Sequence, residues 1–123
     1  MSLTPEQLRR IVDLAADLAR AGDTDELAQF LANGLPVDTV TESGDSLLML
    51  AAYRSHAEAV AMLLGNGADP DLLNLRGQSP LAGAIFKGAD DVVRVLIDAG
   101  ADPDAGTPTA HQVAAMFGLE PFE

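Results

Sequence analysis

The sequence predicts an all-α solenoid, a stack of helix–turn–helix units that share one core. Three observations carry that prediction. One stretch occurs three times at a spacing of 33 residues: LAQFLANGLPVD from Leu27, VAMLLGNGADPD from Val60 and VRVLIDAGADPD from Val93. A fixed period of this size marks a repeat architecture, in which a unit too small to bury its own apolar face buries it against its neighbours. Within each copy the apolar residues recur at helical spacing, and a glycine stops each copy at the same place, at Gly34, Gly67 and Gly100. Alanine is abundant while aromatic residues make up 4% of the chain, which suits close helix packing better than a sheet sandwich.

The elements follow in order. Thr4-Pro5-Glu6-Gln7 is a helix start: Thr4 caps, Pro5 fits the first helical position, and Gln7 stands where a capping-box partner belongs. Leu8, Ile11, Val12, Ala15, Leu18 and Ala19 continue the helix, and Gly22 ends it. Asp23 or Thr24 then caps a second helix whose apolar stripe is Leu27, Phe30 and Leu31. After a loop containing Pro36 and Gly44, Ser46 caps a short helix through Tyr53, and another helix runs from near Ala57 to Asn66. A loop from Ala68 to Gln78 leads to Ser79-Pro80, which opens the next short helix. Gly88 breaks that helix, Ala89 or Asp90 begins its partner, and a last short helix spans roughly residues 109 to 117. In this register Asp13, Ser46 and Ser79 coincide as caps, with Ala15, Leu48 and Leu81 behind them and Ala51, Ala52 and Ala84 letting helices approach closely.

A chain of 123 residues, 48% hydrophobic, is one domain's worth. There is no cysteine, hence no disulfide, zinc–thiolate or thiol chemistry. The formal charge is −12, with seven Lys and Arg in all, which disfavours nucleic acid and anionic membranes as partners. The acidity serves solubility or, alternatively, draws a basic partner. No apolar run approaches membrane-spanning length and the start lacks a secretory pattern, so a cytoplasmic location is expected.

Gly44-x-Ser46-x-Leu48-x-x-Ala51-Ala52-x-x-Ser55-His56-x-Glu58-x-Val60, then Leu63-Leu64-x-x-Gly67-Ala68-Asp69, resembles an ankyrin repeat. Gly77-x-Ser79-Pro80-Leu81 through Gly100-Ala101-Asp102 is a second good copy, and the period of 33 is the ankyrin period. The resemblance covers about residues 13 to 118. It implies hairpin-like loops and about four units: an N-terminal cap over residues 4–40, repeats over 41–73 and 74–106, and a shortened C-terminal cap over 107–123, with Phe117 or Phe122 sealing the core. The chain departs from the family where Thr-Pro-Leu-His becomes Ser46-Leu47-Leu48-Met49 and Ser79-Pro80-Leu81-Ala82. Apolar packing is expected to replace the missing histidine. Gly83 and Ile85 also alter the usual alanine pair.

Catalytic features are thin. Neither a Gly-x-Gly-x-x-Gly nor a Walker sequence occurs, and His56 and His111 lie apart from any nucleophile pattern. The resemblance gives His56 a structural role at the start of an outer helix, and His111 reads as a surface or cap residue. Asp98, Asp102 and Asp104 lack the spacing of a calcium loop. Asp69-Pro70-Asp71 and Asp102-Pro103-Asp104 read as turns whose carboxylates satisfy local amides, and Asp90-Asp91 and Asp25-Glu26 as first-turn acids. No enzyme activity, cofactor, metal or small-molecule substrate is expected.

The resemblance implies instead a protein-interaction module that binds through a concave surface. That surface is lined by the exposed ends of the inner helices and the loop tips. At the helix ends stand Arg20 and Ala21, Tyr53 and Arg54, Phe86 and Lys87, and Met116 and Phe117. At the loop tips stand Glu42, Ser43 and Asp45, then Leu75, Arg76 and Gln78, with Leu73 a further large apolar residue. The partner-binding candidates are Tyr53, Arg54, Leu73, Leu75, Arg76, Gln78, Phe86 and Lys87, since aromatics beside Arg are the composition of interface hot spots. The plainer alternative is that Tyr53 and Phe86 pack against the next repeat's loop while the bases solvate that face. A further alternative function is an acidic inhibitor or decoy occupying a basic site.

Overall fold

A computed structural model describes residues 2–119. It holds seven helices: α1 (Pro5–Ala21), α2 (Thr24–Ala32), α3 (Leu47–Tyr53), α4 (Ala57–Gly65), α5 (Pro80–Phe86), α6 (Asp90–Asp98) and α7 (Ala110–Met116). Among the described residues there is no strand, only an isolated antiparallel bridge between Val40 and Ser46 in the first long loop. Two layers result. Inner helices pack in the series α1, α3, α5, α7, outer helices in the series α2, α4, α6, and each of the first three inner helices packs on the outer helix that follows it.

Local sequence explains the helix starts. Thr4 accepts from the Gln7 amide while the Gln7 side chain accepts from the Thr4 amide, and Thr109 and Gln112 form the same box at α7. Ser46 and Ser79 accept from the amides of Met49 and Ala82. The outer helices start differently. Asp23, His56 and Ala89 occupy their N-cap positions and none supplies a side-chain cap bond, so Asp23 does not cap α2 in the manner its type suggests. Nor does Asp13 act as a cap: it is an exposed residue inside α1, because that helix begins at Pro5, well before the point where α3 and α5 begin in register.

The core runs the length of the stack. Leu27, Val60, Leu63, Val92 and Leu96 from the outer helices and Leu48, Leu81 and Val113 from the inner ones are buried. Ala15, Ala51, Ala52, Ala84 and Ala114 are fully buried between them, where a larger side chain would force the layers apart. Met49 and Ala82 stand where the family places histidine, and both are buried in apolar surroundings.

Polar straps tie consecutive units together. The His56 ring donates to the Arg20 carbonyl at 2.8 Å, across the break between α1 and α2. Gly22 makes this possible. It has φ +74, and a Cβ there would stand 2.6 Å from His56 Nδ1. On the loop side, the Asp38 carboxylate accepts from the Asp69 amide at 3.0 Å and Asp71 accepts from Asp102 at 2.7 Å. Asp69 and Asp102 also accept from their own turns, at the amides of Asp71 and Asp104. The aspartates therefore serve local amides as their spacing suggests, and they bridge units as well.

Candidate functional site

The inner helices end on the same side of the stack, and α3, α5 and α7 each end in a large side chain. Tyr53, Phe86 and Met116 are 39%, 54% and 69% exposed. Lys87, the C-cap of α5, lies with its Nζ 4.8 Å from the centroid of the Tyr53 ring, a cation–π contact between neighbouring units. Phe86 meets Phe117 at 5.9 Å between ring centroids, tilted by 60°. The two aromatic–base pairs thus lie side by side, and the Phe86–Phe117 contact extends their row to the end of α7. Phe117 is 51% exposed, so it does not seal the end of the core. The ring contact places it beside Phe86 instead. Phe122 lies outside the described residues.

Between these side chains runs a groove of about 280 Å³, walled by Tyr53, Phe86, Met116 and Pro108 and floored by Met49, Ala82, Gly83 and Val113. Gly83 sets the depth of the floor. A Cβ there would stand 3.4 Å from Tyr53 Cδ1. A smaller recess of about 130 Å³ adjoins the groove and shares Met49, Tyr53 and Gln78 with it. Its remaining walls are Asp45, Leu50, Asn74 and Arg76.

Asn74 builds that recess. Its Oδ1 accepts from the amides of Arg76 and Gln78, each at 3.0 Å, which fixes the loop tip. Its Nδ2 donates to Gln78 Oε1 at 2.9 Å and to Asp45 Oδ1 at 3.1 Å, which joins one loop to the loop before it. Gln78 is therefore half-buried and occupied with its own loop as well as lining the groove. Leu75 is 79% exposed and lies against Gly44 of the neighbouring tip, where a Cβ would clash with its Cγ. Leu73 is exposed too, and a Cβ on Gly106 would lie 3.3 Å from its Cδ2, so it faces the following loop.

The candidates thus divide. Tyr53, Phe86, Arg76 and Gln78 line the groove and its recess, and Lys87 joins them through Tyr53. Leu75 and Leu73 sit on the loop tips, and Arg54 is the exposed C-cap of α3, in neither recess. The sequence offered Met116 and Phe117 through the register. It offered no comparable signal for Gly83 or Asn74, whose roles depend on residues 30 and 29 positions away.

Charge is segregated about this face. Segments 46–55, 79–88 and 109–118, which hold α3, α5 and α7, contain no Asp or Glu. The outer helices carry Asp25, Glu26, Glu58, Asp90, Asp91 and Asp98. Arg9, Arg10 and Arg20 are ion-paired with Glu42, Glu6 and Asp17, whereas among the described residues Arg54, Arg76 and Lys87 have no ion-pair partner. No three of His, Asp and Glu among the described residues are arranged to hold a metal ion. Among the same residues no helix is long and apolar enough to cross a membrane.

The family profile described as ankyrin repeats (3 copies) matches residues 14–107. A Pseudomonas aeruginosa protein named as an ankyrin repeat protein is 52% identical over 44 residues. That match takes in 36% of this chain and 26% of the relative's length, so the chain spans about a quarter of the relative it matches.

Proposed function

The chain belongs to the ankyrin repeat family, whose members are generally protein–protein interaction modules, and from that membership we propose that it binds a partner protein through its concave face as an adaptor or regulatory protein. The observation that supports this reading most directly is the apolar row of Tyr53, Phe86, Phe117 and Met116 beside an open groove, with the loop tip at Arg76 fixed by Asn74. Large side chains left exposed together, on a scaffold that does not need them for its core, are what an interface anchor requires. A preformed surface of this kind binds with little rearrangement. The reading takes the chain to be a cytoplasmic binding module, without a cofactor and without catalytic activity.

The test is affinity capture of the partner from source-cell extract, with wild type and with Tyr53, Arg54, Phe86 and Lys87 all changed to Ala. The expected result is loss of capture with circular dichroism and unfolding midpoint nearly unchanged, because all four side chains are exposed. Capture at wild-type level would sink the reading. A decoy that occupies a basic site would instead use the acidic outer helices. Its complex would weaken steeply with salt and would survive the quadruple change.

A further inference from the structure

We propose that the partner presents to the groove a peptide segment in which a large apolar side chain stands next to one or more carboxylates. This deepens the concave-face reading and rests on it. The groove of about 280 Å³ lies at the lower edge of the size of small-molecule pockets, and its floor and walls are apolar, so it matches a protein side chain in scale and character. It adjoins the smaller recess, since Met49, Tyr53 and Gln78 border both. A chain that seats an apolar residue in the first has its neighbouring residue at the second, where Arg76 waits.

Charge selects what that neighbour is. The chain has 19 carboxylates and seven cations, so a cation without an ion pair is not short of possible partners. Yet Arg76, Lys87 and Arg54 have none among the described residues, and neither has Arg94 on α6, while the cations of α1 do. Arg76 and Lys87 are placed at the groove by contacts other than an acid, and Arg54 follows Tyr53 in the chain. The Arg76 amide is fixed by Asn74, and Lys87 lies over Tyr53. The one carboxylate in the smaller recess, Asp45, already accepts from the Asn74 amide. A basic segment would meet like charge here and would be drawn to the outer helices. An acidic one finds donors already positioned, with no internal ion pair to break.

Panning a random-peptide phage library on the immobilised protein tests this. The expected outcome is enrichment of peptides that carry Asp or Glu adjacent to Leu, Ile, Phe or Trp, with Lys and Arg depleted. A selected peptide, remade in solution, should lose about tenfold or more in affinity against the Arg76→Glu/Lys87→Glu variant and against the Tyr53→Ala/Phe86→Ala variant. Panning on the charge-reversed variant should shift selection towards Lys and Arg. Peptides without acidic bias that are lost only on Tyr53→Ala/Phe86→Ala would overturn the acidic-segment proposal and leave the concave-face reading standing. Peptides unaffected by either variant, or no enrichment at all, would overturn both. Circular dichroism of the variants, all at exposed positions, verifies that the fold is retained.

Discussion

At the scale of single residues, the breaks between inner and outer helices are the most exacting positions. Gly22, Ser55 and Gly88 end α1, α3 and α5 in the left-handed region, at φ +74, +66 and +70. Ser55 is the one described residue other than glycine with positive φ. A side chain in this region costs roughly 1–2 kcal/mol, of which a change to glycine returns part to the unfolded chain as entropy. Ser55→Gly should therefore stabilise the protein by about 0.5–1 kcal/mol, read from denaturant midpoints. Gly22→Ala should destabilise it by about 3 kcal/mol, since strain adds to the collision with His56. In a double-mutant cycle His56→Ala should relieve at least about 1 kcal/mol of that cost. Strict additivity would show that the ring does not fill the space over Gly22. Much at this scale was legible in the sequence. Thr4, Ser46 and Ser79 cap the helices their local sequence says they should, because a capping bond spans three residues, while Thr109, read only as the start of the last helix, proves to cap it as well. Asp13 was misread as a cap because a register of 33 residues carries no information about how far a helix extends upstream.

At the scale of the element, α5 combines a short helix with a glycine in its interior. Gly83 removes helix stability that alanine would supply, yet it keeps the groove floor low beneath Tyr53. Gly83→Ala should raise stability by about 0.5–1 kcal/mol while weakening whatever the groove binds. A stabilised variant with unchanged binding would mean that the floor plays no part in recognition. The loop after α4 makes the complementary case. Asn74→Ala removes four hydrogen bonds at a buried amide and should cost about 2 kcal/mol or more. Faster exchange of the Arg76 and Gln78 amides would accompany that loss. The register placed the aromatic ends of α3 and α5 next to one another correctly. It could not reveal Gly83 or Asn74, since each acts on a residue of the preceding unit and sequence alone does not say which side chains meet across a stack.

At the scale of the whole molecule, a net charge of −12 opposes compaction, and few of the carboxylates are offset by a cation. Screening should relieve this. The thermal midpoint should rise by a few degrees between about 0.02 M and about 0.5 M sodium chloride, as self-repulsion falls with the Debye length. A flat or falling midpoint would show that the acids are far enough apart not to matter. The architecture itself was fully legible, because period, glycine stops and apolar spacing all answer to one requirement, the burial of each unit's face by the next. The absence of Asp and Glu from the segments that hold α3, α5 and α7 was present in the sequence too. It became visible only once the helices were assigned to layers.

The pairing of Gly22 with His56 carries a consequence for how such a chain can be rearranged. A unit that opens its outer helix with histidine fits best after a unit whose inner helix closes in glycine. The unit holding His56 closes its own inner helix with Ser55, and the unit after it has Ala89 at the matching position. Copying the middle unit in tandem would set a histidine ring against the Ser55 side chain, whereas copying the following unit would set Ala89 beside Gly88. The units are alike in shape, but their order follows a syntax, and insertion or shuffling is easier at one junction than at the other.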